Sequence, residues 1–122
     1  MELTIRPGGT VISAGERARI EEKVRKSERY LTGLERAEVR FLTEHNPRIA
    51  AREICEVTVH GHGRVVRARA AATDPLGALD LAMERLQERL TRLKGRLVGR
   101  SHPRRRAAIG ASSRGVRSAP AT

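Results

Sequence analysis

The chain has 122 residues, enough for one domain and a tail, and its 25 Lys and Arg against 14 Asp and Glu give a formal net charge of +11. A single cysteine excludes an internal disulfide, and no apolar run approaches the length of a membrane span, so we expect a soluble cytoplasmic protein without a signal peptide. A basic protein without a membrane anchor is expected to bind nucleic acid in preference to a membrane surface.

The first predicted elements are a short strand and a helix. Apolar and polar residues alternate around residues 3–5, which is typical of a half-buried strand. Ser13 and Glu16 form an S-x-x-E capping box, so a helix is predicted from there to about Leu31. Ser27 falls on the inward face of this helix, where a larger residue would pack better.

Three strands and a long helix follow. Alternation predicts strands around residues 37–41, 55–59 and 66–72, with Gly61-His62-Gly63 as the hairpin turn between the last two. Asp74 caps a final helix that is predicted to run to Leu97. The order β-α-β-β-β-α predicts an α+β sandwich, with both helices on one face of a four-stranded, mostly antiparallel sheet.

The final helix carries an apolar stripe and a basic stripe at helical spacing. The apolar stripe consists of Leu79, Met83, Leu86, Leu90, Leu93 and Leu97. The basic stripe consists of Arg85, Arg89, Arg92 and Arg96, and it lies roughly 110° around the helix from the apolar one. A row of guanidinium groups beside a buried seam suits a line of phosphates, although a solvated helix face would show the same pattern.

The first helix offers a second basic patch, because Lys23 and Lys26 share one face. If the helices lie side by side, this patch could join the arginine stripe into one basic surface. A competing site on the other face of the sheet would consist of Arg6, Arg40, Arg67 and Arg69. We favour the helical surface, because Glu38 and Glu56 interrupt the sheet face and the chain has few aromatic rings for base stacking.

No pattern in the chain is typical of catalysis or of metal binding. His60 and His62 lie near a turn and His45 in another loop, without the converging ligands that a metal site needs. Cys55 falls on the inward face of a strand, which favours a buried side chain over a nucleophile. We therefore expect a protein that is not an enzyme and that has no metal and no cofactor.

The composition changes near residue 98. Residues 99–122 hold 6 of the 25 basic residues and none of the 14 acidic ones, and they show no periodicity. We therefore predict a folded domain over residues 1–98 and a basic disordered tail over residues 99–122.

Several of these features, in this order, resemble the ribosome hibernation promoting factor family, which includes the ribosome-associated inhibitors. The resemblance covers about residues 1–98 and begins with the opening strand and Ile12-Ser13. It continues with a K-x-x-K-x-E-x-Y pattern from Lys23 to Tyr30, the glycine turn at residues 61–63, and the run from Asp74 to Asp80 that opens the last helix.

The resemblance implies a fold like that of double-stranded-RNA-binding domains. It implies a translation inhibitor that binds the small ribosomal subunit, and the intact ribosome, in the decoding channel where messenger and transfer RNA would lie. Carried over by position, and with Arg89 added from the stripe, the residues that would bind ribosomal RNA are Lys23, Lys26, Arg85, Arg89, Arg92, Lys94 and Arg96. Such a factor would be monomeric when free, without a membrane or a small-molecule substrate as partner.

Two alternatives remain open at this point: a regulatory module that binds a polymerase factor or another protein, and a generic binder of double-stranded RNA. The chain also departs from the family pattern. Ser27 stands where a large apolar residue is usual, and Glu88 stands where many members have a basic residue. Since only a basic tail follows Leu97, we do not expect this chain alone to drive ribosome pairing.

Overall fold

The computed structural model describes residues 1–101. The element order is the predicted β-α-β-β-β-α, with one 3₁₀ turn, Lys26–Arg29, directly after the first helix. The elements are β1 (Glu2–Arg6), α1 (Ala14–Arg25), β2 (Leu34–Thr43), β3 (Glu53–Gly61), β4 (Arg64–Ala72) and α2 (Pro75–Ser101).

The four strands form one mixed sheet in the order β1-β2-β3-β4. β1 runs parallel to β2, with Ile5 opposite Val39, because α1 carries the chain back between the two strands. The other two pairs are antiparallel, with Val57 opposite both Val39 and Ala68. The α+β class and the mostly antiparallel sheet are confirmed.

The core lies between one face of the sheet and the two helices. The alternation in the strands places every second side chain on this face, and most of the residues predicted to be inward are buried there. The sheet contributes Ile5, Ala37, Val39, Phe41, Cys55, Val57, Val59, Ala68 and Ala70. The helices contribute Ile20, Val24, Ala78, Leu79, Ala82, Leu86 and Leu90. The other face of the sheet carries mainly polar side chains.

The first α-helix ends earlier than the sequence predicts. The capping box is present: the Glu16 amide donates to Ser13 Oγ at 3.1 Å, and the Ser13 amide donates to Glu16 Oε1 at 3.0 Å. The α-helix nevertheless ends at Arg25, and a 3₁₀ turn leads towards Leu31. Ser27 Oγ donates to the Val24 carbonyl at 2.6 Å, a local bond that competes with regular helical bonding and favours the tighter turn.

The hairpin between β3 and β4 is a two-residue turn. His62 and Gly63 both have positive φ, 56° and 67°, as this type of turn requires. Gly61 belongs to the strand, and its lack of a side chain serves packing, because a Cβ there would lie 2.9 Å from the Gly33 carbonyl oxygen. A hydrogen bond of 2.6 Å between His62 Nε2 and the Thr32 carbonyl oxygen holds the turn in place.

The chain divides into two compact units, residues 1–91 and 92–122. The first contains the sheet, α1 and the beginning of α2. The second begins within α2, and its described part is residues 92–101. The helix continues past the predicted end at Leu97 to Ser101, so residues 99–101 of the predicted tail are helical, and the rest of that tail lies outside the described residues.

Candidate nucleic-acid interface

A pocket of about 190 Å³ lies in the first unit between α1 and α2. From the side of α1 and its 3₁₀ turn it is lined by Lys23, Lys26, Ser27 and Tyr30. From α2 it is lined by Asp80, Met83 and Gln87. The two lysines that the sequence places on one helix face are thus brought together around a concave site.

Ser27 belongs to the buried part of this pocket. The residue is only 1% exposed, and its hydroxyl bonds to its own helix through the Val24 carbonyl. The neighbouring inward positions hold larger side chains, Val24 and Leu31. A small side chain at a buried position leaves space that a larger apolar residue would fill. The departure noted in the sequence therefore coincides with an opening between the helices.

The two lysines differ in their electrostatic surroundings. Lys23 Nζ lies 2.7 Å from Asp80 Oδ1, an ion pair that links α1 to α2 beside the pocket. Lys26 is exposed, and within residues 1–101 it makes no ion pair. Its full charge is therefore available to an anion, whereas that of Lys23 is partly neutralised. Sequence reasoning missed Asp80 as a partner of Lys23, since no local spacing connects residues 57 positions apart.

Arg85 and Arg89 lie on the opposite flank of α2. They are roughly 140° and 180° around the helix from Asp80, so they point away from α1. Arg85 Nη1 donates to the Arg69 carbonyl at 2.5 Å, and Arg89 Nη1 donates to the Arg67 carbonyl. These two arginines therefore do not join the lysine patch into one surface. Each guanidinium remains exposed and keeps further N–H groups for a phosphate.

The remaining residues predicted to bind RNA, Arg92, Lys94 and Arg96, belong to the second unit. All three lie on the helical part of that unit and are exposed. Within residues 1–101 none of them takes part in an ion pair. Together they form a basic helix segment that is open to an anionic partner.

Two of the four arginines of the competing basic site on the sheet, Arg6 and Arg67, are paired with carboxylates. Arg6 Nε lies 2.5 Å from Glu38 Oε2, and this bond holds the pKa of the Glu38 carboxyl below its usual range. Arg67 Nε donates to Thr58 Oγ1 at 3.2 Å and lies 3.9 Å from Glu56 Oε2. Charges that are already paired on the surface attract an external polyanion weakly, so this face is the poorer candidate.

Within residues 1–101, no metal or nucleophilic site competes with the basic surfaces. Among residues 1–101 there is no group of three or more His, Cys, Asp and Glu side chains that could hold a metal ion. Burial, with a smaller contribution from the nearby Glu56, raises the pKa of the Cys55 thiol to about 12, so the thiol stays protonated and unreactive. In the same part of the chain, no helix is both long and apolar enough to cross a membrane.

A protein-family model described as "Sigma 54 modulation protein / S30EA ribosomal protein" matches residues 2–98. The chain belongs to this family. The match confirms the resemblance inferred from the sequence. Comparison with the curated proteins found no match.

Two solved structures share the fold of this family member. A ribosomal subunit interface protein from Coxiella burnetii is 22% identical, with a TM-score of 0.65, and the match covers 78% of this chain and 99% of that one. The N-terminal domain of Protein Y from Thermus thermophilus is 27% identical, with a TM-score of 0.59, covering 75% of this chain and 94% of that one.

Proposed function

We propose that this chain is a ribosome-associated translation inhibitor, a hibernation factor that binds ribosomal RNA of the small subunit in the decoding channel and excludes messenger and transfer RNA. The observation that carries the proposal is the family match over residues 2–98, supported by the subunit-interface protein that shares the fold. The factor would act without catalysis, in the cytoplasm, as a monomer when free, through a domain of residues 1–98 followed by a basic tail.

The described surface supports binding to a phosphate backbone. The exposed cations among the residues predicted to bind RNA lie at three places: Lys26 beside the pocket, Arg85 and Arg89 along the edge of β4, and a cluster in the second unit. The last of these consists of Arg92, Lys94 and Arg96. Because Arg85 and Arg89 each spend one N–H on a backbone carbonyl, their guanidinium groups are already held in place, and less side-chain freedom is lost when a phosphate binds.

Co-sedimentation with ribosomes tests the proposal. The purified protein would be run on sucrose gradients with small subunits and intact ribosomes, at low and moderate salt, with excess transfer RNA as competitor. We expect saturation at one copy per small subunit, weaker binding at higher salt, and displacement by transfer RNA. Binding without saturation would point to a generic RNA binder, and a complex that survives nuclease treatment would point to a protein partner.

A pair of charge reversals locates the surface. Lys26→Glu is expected to weaken ribosome association by about tenfold, because it replaces an unpaired cation by an anion. Arg40→Glu is the matched control, since Arg40 is exposed on the other face of the sheet and the change in net charge is identical. Equal losses in both variants would show non-specific attraction, and a loss only in the control would place the site on the sheet.

A further inference from the structure

The pocket between α1 and α2 concentrates side chains that are scarce in this chain. Only three lysines are present, and two of them line it. The chain has one tyrosine, one phenylalanine and no tryptophan, and Phe41 is 1% exposed in the core. Among the Phe, Tyr and Trp side chains of the chain, Tyr30 is therefore the one available to a ligand, and it lines the same pocket. Ammonium groups and an aromatic ring are the groups that bind the phosphate and the base of a nucleotide.

We propose that this pocket takes a single nucleotide unit, with the base between Tyr30 and Met83 and the phosphate at Lys26. If the nucleotide is a residue of RNA, the inference rests on the proposed function, and the pocket holds one unstacked base of the RNA partner. A free nucleotide has the same chemistry, and the experiments below distinguish the two sources.

The polar groups around the pocket suit the edge of a base. Gln87 lines the pocket with an amide that both donates and accepts hydrogen bonds. Ser27 Oγ already donates to the Val24 carbonyl and the residue is only 1% exposed, so its small size, and not its hydroxyl, is what it contributes to the pocket. The charge of Asp80, which would repel a phosphate, is offset by Lys23 at 2.7 Å, so the phosphate is expected on the side of Lys26.

Ser27 decides whether the pocket is open. A leucine at this buried position would occupy the space that the serine leaves, without changing any charge. An alanine would keep the space and remove only the hydroxyl. Comparing Ser27→Leu with Ser27→Ala therefore separates the volume of the pocket from the electrostatics of the surface. Tyr30→Leu removes the ring and provides a second test that does not depend on filling a buried site.

The pocket is tested by NMR titration of the full chain with three probes: adenosine 5′-monophosphate, inorganic phosphate, and a single-stranded oligoribonucleotide of four adenosines. We expect the nucleotide and the oligonucleotide to shift the resonances of pocket residues. Binding should weaken about tenfold in Tyr30→Leu, because base stacking is lost, and by a similar factor in Ser27→Leu, because the leucine fills the space for the base. Ser27→Ala should bind about as well as the unaltered protein. Circular dichroism would check folding; if Ser27→Leu unfolds, Tyr30→Leu decides.

Two results would overturn the inference: no shift of pocket resonances with any adenosine probe, or equal shifts with inorganic phosphate that Tyr30→Leu leaves unchanged. A ribosome arm then identifies the source. Weaker co-sedimentation of Ser27→Leu than of Ser27→Ala supports an RNA residue, and unchanged co-sedimentation with lost nucleotide binding supports a free nucleotide. If the unaltered protein does not bind ribosomes, the proposed function fails, while the titration still judges the pocket.

Discussion

At the scale of single residues, the partner of Lys23 matters more than its position on the helix. The ion pair with Asp80 joins side chains that are 36% and 54% exposed, so it contributes little to stability, about 1 kcal/mol or less. Its larger effect is to neutralise part of the positive charge of Lys23 beside the pocket. Asp80 thereby limits how strongly this part of the surface attracts an anion.

We expect Asp80→Asn to strengthen ribosome association, because it releases Lys23 for a phosphate. One additional phosphate contact should steepen the dependence of log affinity on log salt by about 0.9. Co-sedimentation at several salt concentrations measures this slope. Glu84→Gln is the matched control, since Glu84 is exposed on the same helix, has no ion pair among residues 1–101, and loses the same charge. An identical change of slope in both variants would show that the ion pair between Lys23 and Asp80 has no role in binding.

At the scale of elements, two arginines of α2 cover one open edge of the sheet, that of β4. β1 and β4 are the edge strands. Arg25 Nη1 donates to the Met1 carbonyl at 3.0 Å, next to β1, and Arg85 and Arg89 bond to carbonyls two residues apart on β4. Carbonyls two residues apart on a strand point to the same side, so the pair covers a continuous stretch of the edge. Uncovered edges are sites where another chain can add a strand.

The double variant Arg85→Ala and Arg89→Ala is therefore expected to lose about 2 kcal/mol of unfolding free energy, from two hydrogen bonds, and to self-associate more readily. Denaturant unfolding measures the first effect and sedimentation velocity the second. Arg17→Ala with Arg29→Ala removes the same charge from exposed positions on α1 and the 3₁₀ turn. If the control variant dimerises equally, lower net charge alone would account for the association.

At the scale of the whole molecule, the order of elements follows from local patterns, and the site does not. Alternation along the strands and the stripe on α2 identify most of the buried side chains, and the capping box at Ser13 identifies the start of α1, because those signals act between near neighbours. The bond between Lys23 and Asp80 and the anchoring of Arg85 on β4 depend on how distant segments pack. For that reason the sequence suggests a single basic surface, while the structure separates the two lysines of α1 from Arg85 and Arg89.

The net charge of +11 is also a property of the whole molecule, and part of it lies beyond the described residues. The arginines after residue 101 are Arg104, Arg105, Arg106, Arg114 and Arg117, and residues 102–122 contain no acidic residue. We expect truncation after Ser101 to weaken ribosome association at low salt and to flatten the salt dependence by up to about 4 in log–log slope, because fewer phosphates are neutralised. Stoichiometry and displacement by transfer RNA should not change, since the family match ends at residue 98.

Changing these five arginines to glutamine while keeping the length of the chain separates charge from contact. If the tail acts only through its charge, the glutamine variant and the truncated protein will show the same slope on the gradients. A truncated protein that loses saturable binding, while the glutamine variant keeps it, would show that the tail contacts the ribosome through something other than its charge. That result would extend the binding domain beyond the residues that the family match covers.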